Sequence, residues 1–231
     1  MRLRHVIAAG TALGAGLLLT GCDLKSIGGP TEQATQSYDV AGKVATLRVD
    51  SGSGEIVVNE SGRTGIHVTE TLHWRSSKPT TRHPVEGDAL RLDSTCSHGD
   101  FACSVDYTVE IPHGLQVRVD TGSGAITLRA LSGEVKASTG SGDIDANGLG
   151  GKQVTARTGS GDVDLRFAAV PDNVTVDSGS GAGVVRVPQN TYNVTAWTGS
   201  GEKRVDVDND AGSPRRISVK TGSGDAKVLK A

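Results

Sequence analysis

Apolar and polar residues alternate in short runs along most of the chain. Val117/Val119, Val135/Ala137, Val154/Ala156, Val174/Val176, Val194/Ala196 and Ile217/Val219 each set two apolar side chains two positions apart. Ile126/Leu128, Ile144/Ala146 and Val163/Leu165 do the same a few residues further on. A period of two is that of a strand with one buried face, because successive side chains leave the backbone on opposite sides. Between the two sets of runs lies one word, Ser/Thr-Gly-Ser-Gly. Its copies start at Ser51, Thr121, Thr139, Thr158, Ser178, Thr198 and Thr221. The first gap is 70 residues, and the rest are 18, 19, 20, 20 and 23, the period of a stacked repeat.

Each repeat therefore predicts two short strands, with the Gly-Ser-Gly at one corner and a variable turn at the other. Stacked about 4.8 Å apart, equivalent residues fall into columns, and the apolar columns build a core that no single repeat could form. Glycine supplies positive φ and lets neighbouring corners approach closely. The leading and central hydroxyls are expected to hydrogen-bond along the column. The expected fold is all-β, a β-solenoid or β-helical roll with rungs of about 20 residues. It spans 38–231, with regular repeats over 117–228 and an irregular capping region of hairpins over 59–116. Lys203 follows the sixth motif where an apolar residue is expected, and Ala226-Lys227 follows the seventh. This polar drift reads as a cap formed by the last two repeats.

The amino-terminal residues have a different pattern. Arg2 and Arg4 precede an uncharged apolar stretch from Val6 to Leu19, which ends in Leu19-Thr20-Gly21-Cys22. The stretch is too short to span a bilayer and has the length of a signal-peptide core. The last four residues resemble the lipobox of bacterial lipoproteins. That resemblance implies a signal peptide over 1–21 and Cys22 as the lipidated first residue of an exported chain held to the membrane. Residues 22–37, polar and without clear periodicity, read as a flexible linker. Without residues 1–21 the chain carries 22 basic and 26 acidic residues. With a net acidic balance and few aromatics, no general nucleic-acid affinity is expected.

Cys96 and Cys103 lie seven apart. In an oxidising compartment they are expected to form a disulfide. The rival is a metal site using Cys96, His98 and Cys103 with His73 or His83, though it lacks a second paired-ligand motif.

The run Val119-Asp120-Thr121-Gly122-Ser123-Gly124-Ala125-Ile126-Thr127-Leu128, preceded by Ile111-Pro112-His113-Gly114, is similar to a large family of bacterial β-solenoid domains described as adhesin-like or of unknown function. The resemblance covers about residues 40–228. It implies an extracytoplasmic β-helical roll and carries over no catalytic residue.

No nucleophile elbow or metalloprotease signature occurs, and seven identical Ser corners do not make one active site. The Gly-rich word has no helix or Gly-Lys-Ser/Thr ending behind it, so it does not read as a phosphate loop. Asp143, Asp145, Asp162 and Asp164 would form a two-by-two patch on stacked rungs, either a solvated acidic face or a weak Ca²⁺ site, with Arg157 or Lys136 near enough to compensate. Asp206, Asp208 and Asp210 are a weaker group of the same kind. Trp197 occupies an outward position, with Tyr192 near it across a turn. These two are the candidate contacts for a partner, or a cover for the end of the stack. The expectation is a non-catalytic cell-envelope module without cofactor, bound to the membrane by its lipid and to an unidentified envelope protein or glycan. The alternatives are a polysaccharide-acting enzyme and a Ca²⁺-stiffened binding module.

Overall fold

The computed structural model describes residues 31–97 and 102–231. The first part holds β1 (Glu32–Val40), β2 (Thr46–Ser53), β3 (Ile56–Glu60), β4 (Ile66–Trp74), β5 (Thr80–Arg82), β6 (Val85–Glu86), β7 (Ala89–Thr95) and β8 (Ser104–Ile111). Then follow strand pairs that share a Gly-Ser-Gly corner: β9 (Gln116–Ser123) with β10 (Ile126–Arg129), β11 (Val135–Ser141) with β12 (Ile144–Leu149), β13 (Gln153–Ser160) with β14 (Val163–Phe167), and β15 (Asn173–Ser180) with β16 (Gly183–Val187). The rest is β17 (Thr191–Ser200), β18 (Lys203–Val205), β19 (Asp208–Asn209), β20 (Arg216–Ser223) and β21 (Ala226–Lys230). The described residues hold no helix.

Two sheets result. The first runs β1-β4-β8-β3-β10-β12-β14-β16-β21-β18, and the second β19-β17-β20-β15-β13-β11-β9-β2-β7-β5, with β6 on β7. The repeat strands pair in parallel and in motif register. Thr121 lies beside Thr139, Thr139 beside Thr158, and Thr158 beside Ser178. One sheet takes the strand before each motif and the other the strand after it, so each repeat is one rung. Inward positions from both sheets make a single continuous core. Gly183, at an inward position, leaves room that Val219 fills, since a Cβ there would lie 2.7 Å from a Val219 methyl.

The corners explain the four-residue word. The leading hydroxyl is buried and donates to the carbonyl of the last motif glycine one rung away: Thr139 to Gly124 at 3.1 Å, Thr158 to Gly142 at 2.9 Å, Ser178 to Gly161 at 3.0 Å. The central Ser of the regular rungs faces solvent instead, as at Ser141 and Ser160. A Cβ on Gly140 would sit 2.5 Å from the Gly122 carbonyl oxygen, and Gly142 has φ +152°. Both glycines are thus required, one by close approach of the rungs and one by backbone conformation.

Two expectations about order and extent change. The rungs do not stack in chain order: β20 pairs with β15 on one side and β17 on the other, and β21 lies between β16 and β18. The seventh motif is therefore interior and the sixth forms the outermost rung. Thr221 donates to Gly181 and Thr198 to Gly224, each at 2.7 Å, in that spatial order. Lys203 is polar because it sits at the edge, beside Ala226. The 70-residue gap is, as expected, a capping excursion. β2 lies directly beside β9, and the intervening chain returns to place β7 and β8 outside β2 and β3. Finally, residues 32–37, assigned to the linker, belong to β1, which pairs antiparallel with β4. An edge strand that buries little needs little apolar periodicity, so Gln33, Gln36 and Ser37 concealed it.

Candidate binding face

The acidic residues separate into two structural roles. Asp143 accepts the backbone N–H of Asp162 at 2.8 Å, and Asp162 accepts that of Ala182 at 2.7 Å. Asp106 and Asp225 do the same for Glu55 and Glu202. These carboxylates cap the corner of the adjacent rung. Asp145 and Asp164 lie side by side on the outer face of the first sheet and are paired by Arg129 and Arg186. The compensating cations are thus on the same sheet, whereas Arg157 and Lys136 are on the other. Asp206 pairs with Arg204 at 2.7 Å, Asp208 accepts from Gln189 at 3.0 Å, and Asp210 accepts the Gly212 N–H at 2.9 Å. Among the described residues, no group of three His, Cys, Asp or Glu is arranged to hold a metal.

Cys96 and Cys103 are joined, with Cα atoms 5.9 Å apart, so neither sulfur is left for the rival metal site. His98 and Cys22 lie outside the described residues. The four described histidines have structural partners. His67 meets Asp39 at 2.9 Å, His73 meets Asp106 at 3.0 Å, and His83 stacks on Tyr38 at 4.2 Å. His113 lies 2.6 Å from Glu60, whose carboxylate also accepts the Ser132 hydroxyl and N–H at 2.6 and 2.8 Å. Burial pushes the Glu60 carboxyl up, but these hydrogen bonds outweigh it and hold it below the usual carboxylate range. Glu70, fully buried beside β1, accepts from Tyr38 Oη and Gln36 Nε2, each at 2.6 Å. Burial, with that carboxylate nearby, pushes the Tyr38 phenol far up.

Tyr192 is buried, not a surface contact. Its ring takes an inward position two residues before Val194, and its hydroxyl donates to the Pro188 carbonyl at 2.7 Å. Burial pushes its phenol up as well. Trp197 is outward as expected and 51% exposed, on β17 beside Lys220.

Trp197 stands at one end of an open polar face, the outer side of the second sheet. Its column runs Asp50, Asp120, Ser138, Arg157, Asp177, Lys220, Trp197. The next column along the strands, three residues before each motif, runs Arg91, Arg48, Arg118 and Lys136, then Thr155 and Thr175. Four cations thus occupy four consecutive rungs. Sequence reading missed them. Their signal was the shared offset of Arg48, Arg118 and Lys136 from Ser51, Thr121 and Thr139. Three adjoining depressions follow the column. The largest, about 500 Å³, is bounded by Arg118, Asp120, Lys136, Ser138, Thr155 and Arg157. The others, about 100 and 280 Å³, bring in Gln116, Glu134, Arg48 and Arg91.

A parallel two-sheet stack with hydrogen-bonded corners and an open polar face on one sheet is a repeat-built, all-β architecture. The chain belongs to the Toastrack DUF4097 family, which matches residues 40–229. The comparison with curated proteins finds no match. Among solved structures, a "putative cell adhesion protein" from Clostridium sporogenes is similar at 14% identity and a TM-score of 0.54, covering 87% of this chain and all of that one. A "putative adhesin" from Bacteroides fragilis aligns at 14% identity over 87% of this chain and 97% of its own, with a TM-score of 0.38. A "putative lipid binding protein" from Parabacteroides distasonis aligns at 13% over 86% and 96%, with a TM-score of 0.37. The first of these shares the fold.

Proposed function

We propose that this chain is a β-solenoid binding module of the bacterial cell envelope, exported and lipid-anchored through Cys22, that holds another envelope component without transforming it. The observation that carries the reading is the uninterrupted outer face of the second sheet, which ends in the exposed indole of Trp197. A large aromatic held in water on a rigid strand is a low-entropy anchor for a partner. The cell-adhesion name of the Clostridium sporogenes protein that shares the fold agrees with a binding role.

Co-sedimentation of the full-length protein with isolated cell-envelope fragments tests this. Saturable binding is expected, reduced about tenfold in Trp197→Ala by loss of one aromatic contact. Absence of saturable binding by a folded protein overturns the reading.

A further inference from the structure

We infer that the column Arg91-Arg48-Arg118-Lys136, with Arg157 beside it, binds a linear acidic polysaccharide lying along the stack, across the strands. The inference rests on the binding-module reading and names the partner's chemistry.

Like charges directly opposite one another in a sheet destabilise it, and four in a row compound the cost. The same column holds Thr155, Thr175, Ser218 and Thr195 on the other rungs, so the fold accepts neutral hydroxyls there. The local neutralisation is weak. Arg118 meets Asp120 and Arg157 meets Asp177, each at 3.3 Å and with both partners well exposed, Lys136 meets Glu134 at 2.7 Å, and Arg91, at the end of the row, meets Asp93 at 3.4 Å and Asp50 at 3.9 Å. Arg48 has no acidic partner among the described residues. Exposed pairs of this kind contribute at most about 1 kcal/mol and exchange readily for a better anion. A cationic row on a chain of net acidic balance is a local feature, not an overspill of general charge.

The geometry selects among anions. The cations recur once per rung, about 4.8 Å apart, close to the length of one sugar residue. Guanidinium forks match carboxylates bidentately. Between and beside them stand Ser138, Thr155, Gln116 and Gln153, groups that suit sugar hydroxyls. Asp50 and Asp120 flank the same row. They would accept hydrogen bonds from sugar hydroxyls and would repel duplex DNA, which carries about one charge per 1.7 Å and offers no free hydroxyls. A flat anionic bilayer would meet the same acidic rim.

The probe is sodium polygalacturonate, a linear chain with one carboxylate per sugar, titrated into the full-length protein in neutral detergent at low salt. Expected are saturable binding, a fall in affinity as salt rises, and little binding of the methyl-esterified polymer, which keeps the sugars and loses the charge. Arg48→Gln with Arg118→Gln should weaken binding about tenfold or more. Arg166→Gln, on the other sheet, should leave it unchanged. The inference is overturned by double-variant affinity equal to wild type, by equal binding of the esterified polymer, or by preferential binding of duplex DNA or phosphatidylglycerol vesicles at matched charge. If the double variant misfolds, the salt dependence of the wild type decides, and a flat dependence overturns the inference. Should envelope fragments still retain the wild type while polygalacturonate does not bind, only the acidic-glycan assignment fails; should neither bind, the module reading falls with it.

Discussion

The two ends of the stack solve one problem in opposite ways. A sheet edge offers unpaired N–H and C=O groups to any passing strand. At the β1 end, the excursion between Glu60 and Gln116 covers the edge with antiparallel strands. β4 runs against β8 and β1 against β4, while β5 and β6 fold over β7. The cover is apolar inside except at Glu70, which is buried between Val68 and Leu72 with Tyr38 and Gln36 as its donors. At the β17 end little is added: the two-residue β19 pairs with the start of β17. The edge strand β18 is three residues long, and Lys203 places a charge in the column that the other six motif repeats fill with an apolar residue or glycine. An inward charge on a short strand discourages a further rung from docking. One end thus costs some fifty residues of cover, and the other a two-residue strand, a single lysine and a change in rung order.

Removing residues 216–231 should have the largest effect, because it takes a rung out of the middle of the β17 end. Ile217, Val219, Ala226 and Val228 are all buried, and losing them forfeits on the order of 6–8 kcal/mol of apolar burial, comparable to a whole domain's stability. Thermal unfolding of that truncation should lose its single cooperative transition. A midpoint within a few degrees of the intact protein would show that β17 can close directly on β15, and that rung order is not structurally required.

At the β1 end the corresponding test is the disulfide. Cys96→Ser with Cys103→Ser opens a short loop, with a loss of about 2–3 kcal/mol by chain-entropy arithmetic. Denaturant titration should show the shift, together with faster proteolysis near β7 and β8. An unchanged midpoint would mean that strand pairing alone holds the cover.

The smallest effect concerns Glu60, where the excursion begins. Its folded pKa lies below its unfolded value of 4.5, so its contribution is fully present above that pH and is lost as pH falls through the folded pKa. Glu60→Gln should therefore flatten the acid side of the stability curve while changing neutral stability by about 1–2 kcal/mol. Identical acid limbs for wild type and variant would contradict the hydrogen-bond assignment with Ser132 and His113.

Much of the architecture was legible because a repeat states its rule several times over. Alternation and the Ser/Thr-Gly-Ser-Gly word located the rungs and their inward faces, and they placed Trp197 outward. The same alternation already placed Tyr192 inward, two before Val194, but proximity to a turn was given more weight than parity. Lys203 held the rung order in plain view: a repeat with an unpaired charge in the core column suits an edge, whereas the seventh, with Ala226 there, suits the interior. What sequence could not show was which sheet each outward charge shares. Asp145 and Asp164 find Arg129 and Arg186 across rungs on their own sheet, and the cationic column emerges only when the first motif, separated by the long excursion, is laid beside the second.

The interleaved rung also sets a clock. Residues 191–205 precede 216–230 along the chain, yet they rest on them in space. Whether the polypeptide emerges from a ribosome or threads through a translocation pore, the outermost layer has no surface to settle on until the later segment has arrived. Assembly therefore cannot follow chain order to the finish, because the later layer must be in place before the earlier one meets its native neighbour.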